Sequence, residues 1–78
     1  MENKTVFSME VGETGTITEL DIDKKLFNRY LDLGIAPNAL VKLINKVNFN
    51  QLYIIEVDDV EICIRRKDAK KIRIRSMK

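Results

Sequence analysis

A single stretch of helical periodicity, closed by a glycine and a proline, constrains this chain more than any other feature. In DIDKKLFNRYLDLG (21–34), Leu26, Tyr30 and Leu33 fall at i, i+4 and i+7, and Phe27 and Leu31 add a second i, i+4 pair. That is the stripe of one short helix packed on a core. Asp21 or Asp23 can cap its start, because a carboxylate there accepts otherwise orphaned backbone N–H groups. Gly34 stands where the helix must stop, at a position that needs a positive φ. Ile35 can fold back as the apolar partner of that ending, and Pro37 forbids continuation. Pro37-Asn38 fits the two central positions of a tight turn, since Asn tolerates the left-handed region.

On both sides of this helix the period is two. VGETG (11–15) brackets a turn between glycines and feeds the strand TITEL (16–20). After the turn come ALVKLINKV (39–47), with Val41, Leu43 and Val47 on one face, and LYIIEV (52–57), with Tyr53, Ile55 and Val57. VEICIR (60–65) follows, with Val60, Ile62 and Ile64, and then KKIRIR (70–75), with Ile72 and Ile74. NFNQ (48–51) and Asp58-Asp59 are turns, the second a two-residue hairpin loop. RRKDAKK between the last strands is too short for a helix and predicts a 3₁₀ turn. Five or so short strands with one short α-helix inserted after the first barrel strand specify a mostly β chain, a small barrel, as a single domain over residues 1–78.

Composition narrows the chemistry. The 78 residues contain no histidine and one cysteine, so neither a Cys/His zinc site nor a Cys–His nucleophilic pair can be built. Cys63 cannot form an internal disulfide, which favours a reducing, cytoplasmic setting, and it is expected to be a small buried filler. Gly12 and Gly15 belong to GETG, which lacks the Lys-Ser/Thr of a phosphate loop. Ser8 and Ser76 have no histidine base. No apolar run reaches membrane-spanning length, and MENKTVFSME has no signal-peptide pattern. Carboxylates that could hold a hard cation are Asp21 and Asp23 near the helix start and Asp58, Asp59 and Glu61 at the hairpin; capping and solvated-turn roles are favoured over a metal for all five. The expectation is a binding module, not an enzyme.

The net charge of +2 conceals an asymmetry. Residues 1–61 carry six basic and eleven acidic side chains, a balance of −5, and residues 62–78 carry eight and one, a balance of +7. The basic segment reads as an edge strand whose charged outer face blocks edge-to-edge pairing. The alternative is a phosphate-backbone patch for nucleic acid, weakened by the lack of any aromatic after Tyr53.

The order F-x-M-x-x-G-x-x-G-x-I, then RYLDLGIAPNA-x-V-x-L, then VDDVEICIRRKDAKKI-x-I resembles the FeoA family over about residues 5–75. Leu31, Leu33, Gly34, Ile35, Pro37, Val41, Ile62, Ile64, Arg65 and Ala69 stand at the family's signature positions. Asn38 replaces its usual turn glycine, and Asp58-Asp59 replaces a hairpin that commonly contains one. The resemblance implies an SH3-like barrel with a helical insertion and no catalytic group. It also implies a cytoplasmic accessory role in ferrous iron transport through contact with the cytoplasmic region of the transporter FeoB, with any tie to membranes only through FeoB. No small-molecule substrate or cofactor is expected beyond a weak Fe²⁺ or Mn²⁺ association. The same barrel occurs as the C-terminal domain of iron-dependent repressors; with no helix-turn-helix ahead of it here, a complete repressor is not expected, and a carboxylate-based metal-sensing barrel stays as an alternative.

Leu40, Ile44, Leu52 and Ile54 alternate out of phase with the inner set and are the candidate partner-contact residues, with Tyr30 from the helix. Either they cover a second small core under the helix or they form an exposed patch; cover is favoured for Leu40 and Leu52, and Ile44 and Ile54 are the pair whose replacement by Asp separates the two readings.

Overall fold

A computed structural model describes residues 4–76; the outermost residues of the expected domain, 1–3 and 77–78, lie outside it. Six antiparallel strands form one sheet. They are β1 (Lys4–Thr5), β2 (Thr14–Leu20), β3 (Leu40–Val47), β4 (Leu52–Val57), β5 (Val60–Arg65) and β6 (Ile72–Ser76), in the order β1-β6-β2-β3-β4-β5. The sheet curls into a small SH3-like barrel around a core that includes Ile17, Ile35, Leu43, Tyr53, Ile55 and Ile72. A 3₁₀ turn (Val6–Ser8) follows β1, helix α1 (Lys24–Asp32) links β2 to β3, and α2 (Arg66–Ala69) links β5 to β6.

The helix begins and ends as its sequence dictates. Asp23 is the cap, its Oδ1 accepting the Leu26 N–H at 2.8 Å. At the other end Gly34 takes φ +90°. Its N–H reaches the Leu31 carbonyl at 3.0 Å, and the Ile35 N–H reaches the Tyr30 carbonyl at 2.9 Å. These two bonds are the Schellman pattern, and Ile35 is fully buried beside them. The Ala39 N–H then closes a turn on Ala36 at 3.1 Å with Asn38 at φ 75°, a left-handed position usually filled by glycine. The stripe expected on α1 is only partly buried. Tyr30 is in the core and Leu26 and Phe27 pack against it, whereas Leu31 and Leu33 are exposed; four apolar residues on a nine-residue helix, with Leu33 as its C-cap, span a wider arc than one contact face covers.

Four further expectations change. β6 is not an edge strand, because the two-residue β1 pairs with it through Lys4↔Ile74 and Thr5↔Arg73. The link at 66–69 is one turn of α-helix, not 3₁₀. Val47 leaves the face of Val41 and Leu43. The β3–β4 register shifts between Leu43 and Asn45, and a bulge inserts one residue and reverses the phase beyond it, so Lys46 pairs with Tyr53 and Val47 with Leu52. Asp58 and Asp59, at φ 53° and 65°, make the two-residue type I′ turn without a glycine. Gly15 lies within β2, not in the turn: a Cβ there would stand 3.0 Å from the Arg75 carbonyl oxygen.

Candidate partner-binding groove

Among the described residues the sheet ends at β5, which pairs only with β4, and α1 lies beside it. Between them runs a groove lined by Leu26, Arg29, Tyr30 and Leu33 from the helix, Ile62 to Arg65 from the strand, and Lys67 and Asp68 from α2. The helix cap positions one wall, since ending α1 at Gly34 leaves Leu33, 44% exposed, on the rim. Strand alternation sets the other, placing Ile64 in the core and Cys63 outside. Tyr30, 5% exposed, contributes to the lining from the core side. Its burial, and then the neighbouring Asp68 carboxylate, push the phenol up to about 12, so it stays a neutral hydroxyl. The groove thus joins apolar side chains, charged rims and the edge of a sheet, whose outward backbone groups can pair with an extended segment.

Of the sequence candidates, Tyr30 alone reaches this groove. Ile44 and Ile54 are half-buried on the outer face of the β3–β4 pair, on either side of the bulge, with Ile54 opposite Cys63 on β5. Leu52 is half-buried at one end of β4, opposite Arg65. Leu40, expected to be covered, is 55% exposed at the opposite end, where it borders Glu56, Asp58 and Asp59; it sits on the outward phase of β3, out of step with the buried Val41 and Leu43. The four residues therefore do not form one patch. Sequence reasoning assigned Leu33 and Ile62 to the core and missed them as groove residues. The signal was the excess width of the helix stripe.

Cys63 is exposed, not a buried filler, because it occupies the outward phase of β5. Among the described residues no three of His, Cys, Asp and Glu come together as metal ligands. Asp23 is committed to the helix cap, and Asp58, Asp59 and Glu61 are exposed on a turn and its flanking strand. The donor set does not fit a transition-metal site.

One carboxylate is strongly organised. Glu13 accepts from the Lys4 ammonium, from the Glu10 N–H at 2.9 Å and from the Ser76 hydroxyl at 3.0 Å. The Lys4 hydrogen bond first, then that of Glu10, hold its pKa at about 2 against partial burial. It ties β1, the turn before β2 and β6 together, a structural role away from the groove.

The fold is that of a small SH3-like β-barrel with a groove at one sheet edge; the sequence has no histidine, and among the described residues no three of His, Cys, Asp and Glu are grouped. The FeoA domain matches residues 5–76, and the chain belongs to that family, a small accessory domain associated with ferrous iron transport. Solved structures agree on the fold. The FeoA protein of Chlorobium tepidum superposes with a TM-score of 0.91 at 16% identity, over 96% of this chain and 71% of that one. FeoA of Stenotrophomonas maltophilia, described as an SH3 domain protein and complexed with zinc, gives 0.76 at 14%, over 92% and 89%. A manganese-dependent transcriptional repressor in complex with manganese gives 0.84 at 17%, over 95% of this chain and 36% of that one. No curated protein matches the chain. Among the described residues no helix is long and apolar enough to cross a membrane.

Proposed function

We propose that this protein is a non-enzymatic, cytoplasmic accessory module of ferrous iron transport that works by direct contact with the cytoplasmic region of FeoB. The contact surface is the groove between α1 and β5. The observation that carries this reading is the exposure of Leu33 beside a sheet edge that, among the described residues, no other strand covers. An extended partner segment gains main-chain hydrogen bonds along β5, while Leu26, Leu33 and Ile62 take its apolar side chains and Arg29, Arg65 and Lys67 favour acidic ones. The iron is the transporter's cargo, and no step on it is assigned to this chain.

Calorimetric titration with the purified cytoplasmic region of FeoB tests this. Leu33→Asp is expected to weaken binding at least about ten-fold with the far-ultraviolet spectrum and thermal midpoint retained. Leu40→Asp, outside the groove, is expected to bind as the parent does. An Ile44→Asp/Ile54→Asp variant tests the rival outer face. Loss of binding by that folded variant, with Leu33→Asp unaffected, moves the contact to the outer face and refutes the groove. Absence of binding by the parent protein refutes the contact with FeoB.

A further inference from the structure

The loop between β3 and β4 carries a feature that the groove does not use. Asn48, Phe49 and Asn50 take φ 54°, 58° and 64° in succession. A left-handed backbone suits asparagine but disfavours phenylalanine. Phe49 is nevertheless there and is 94% exposed, so it contributes nothing to the core. A phenylalanine held in an unfavoured backbone region and almost wholly in solvent costs the fold without contributing to its packing, and its cationic surroundings give it a use.

The surroundings say which partner. Gln51, at the base of the same loop, accepts the Arg66 N–H at 2.9 Å, and a shallow cleft beside it is lined by Gln51, Leu52, Arg65, Arg66, Lys67 and Lys70. None of these lining residues is acidic. Lys70 lies 4.8 Å from the ring centre of Phe7, which stacks on Tyr53 at 6.2 Å, and Lys46 lies 5.4 Å from the Tyr53 ring. The carboxylate of α2, Asp68, lines the other groove beside Tyr30. This end of the β3–β4–β5 meander is cationic. About 17 Å away along β4, the other end carries four carboxylates, Glu56, Asp58, Asp59 and Glu61, against the one cation Lys42 opposite Glu56. The meander is therefore polarised along its length, with a protruding aromatic at its positive pole.

We infer that this end docks on an anionic lipid bilayer, with Phe49 entering the headgroup–acyl boundary and Arg65, Arg66, Lys67 and Lys70 meeting lipid phosphates. The polarised meander orients the protein tip-first on a negative surface and holds the acidic end away from it. A bilayer is favoured over single-stranded nucleic acid because strand binding stacks successive bases on several exposed aromatics along a groove, whereas Phe49 is one ring on a loop tip and Tyr53 is buried. With one ring and a few cations, the docking is reversible. It does not depend on contact with FeoB: Arg65 and Lys67 border both the groove and this end, but Phe49, Arg66 and Lys70 do not line the groove.

The chain contains no tryptophan, so Phe49→Trp places a single reporter at the tip of the full-length protein. With vesicles of phosphatidylcholine containing about one-third phosphatidylglycerol, its emission is expected to shift to the blue and to be quenched by brominated acyl chains. Pure phosphatidylcholine vesicles are expected to give neither effect. In sedimentation with the anionic vesicles, Arg66→Gln and Lys67→Gln are each expected to lower the partition coefficient about five-fold. Phe49→Asn is expected to lower it about ten-fold or more with an unchanged or higher thermal midpoint, because Asn suits the left-handed backbone. Three results overturn the inference: no spectral shift with anionic vesicles, sedimentation of Phe49→Asn equal to the parent, or tight salt-dependent binding of a single-stranded oligonucleotide without vesicle binding. The last reassigns this end to nucleic acid.

Discussion

Replacing Glu13 by Gln tests the role of the carboxylate that gathers β1, β2 and β6. It keeps the size of the side chain and removes the charge that Lys4 and the Glu10 N–H hold ionised. The folded-state pKa is about 2 against an ordinary value of 4.5, which corresponds to at most about 3 kcal/mol of pH-linked stability. Lys4 is 23% exposed at its side chain, so solvent screening reduces this to about 2 kcal/mol. Because the folded value is depressed, the contribution is complete above pH 4.5, falls as the pH drops below it, and is gone near pH 2. Urea denaturation of parent and variant across this range should show Glu13→Gln about 2 kcal/mol less stable at neutral pH, with the gap closing as the solution is acidified. A gap of constant size from neutral pH down to about pH 2, or none at neutral pH, would refute the reasoning.

Three backbone predictions follow from the same geometry. Gly34→Ala should cost about 1–2 kcal/mol in thermal unfolding from conformational strain alone, since the nearest atom to the added Cβ is 3.7 Å away; Gly34→Asn should cost less. Gly15→Ala should cost about 1–3 kcal/mol for a different reason, the 3.0 Å approach to the Arg75 carbonyl oxygen, and should speed amide exchange along the β2–β6 ladder. Asp23→Ala should cost about 1 kcal/mol by circular dichroism melting, through loss of the cap on Leu26. Equal destabilisation by the two glycine variants with identical exchange maps would count against separate mechanisms.

The helix, its ending and β2 to β6 were legible in the sequence because local chemistry determines them. Asp23, Gly34 and Pro37 punctuate one helical period, and Asp58-Asp59 closes a hairpin without needing long-range information. Lys4–Thr5 was not legible as a strand, since two residues carry no period, and only the register with Arg73 and Ile74 makes them one. The bulge at Ile44 was hidden for a related reason. VKLINKV alternates acceptably with or without an extra residue, and the pairing with β4 decides. The candidate surface was read least well. Alternation tells inner from outer faces but not which outer residues a neighbouring helix covers, so Leu33 and Ile62 were placed inside and Leu40 was placed under cover. Phe49 was legible as part of a turn, but its conformation and exposure depend on how β3 and β4 meet.

The end of α1 lies next to the tip of the β4–β5 hairpin: a Cβ added at Gly34 would stand 3.7 Å from the Asp58 carboxylate and 3.9 Å from the Val57 side chain. The helix ending and the hairpin turn are therefore neighbours, and neither Gly34 nor Asp58 lines the groove. Reshaping the Asp58-Asp59 loop is thus a way to shift the helix wall while leaving the lining itself unchanged.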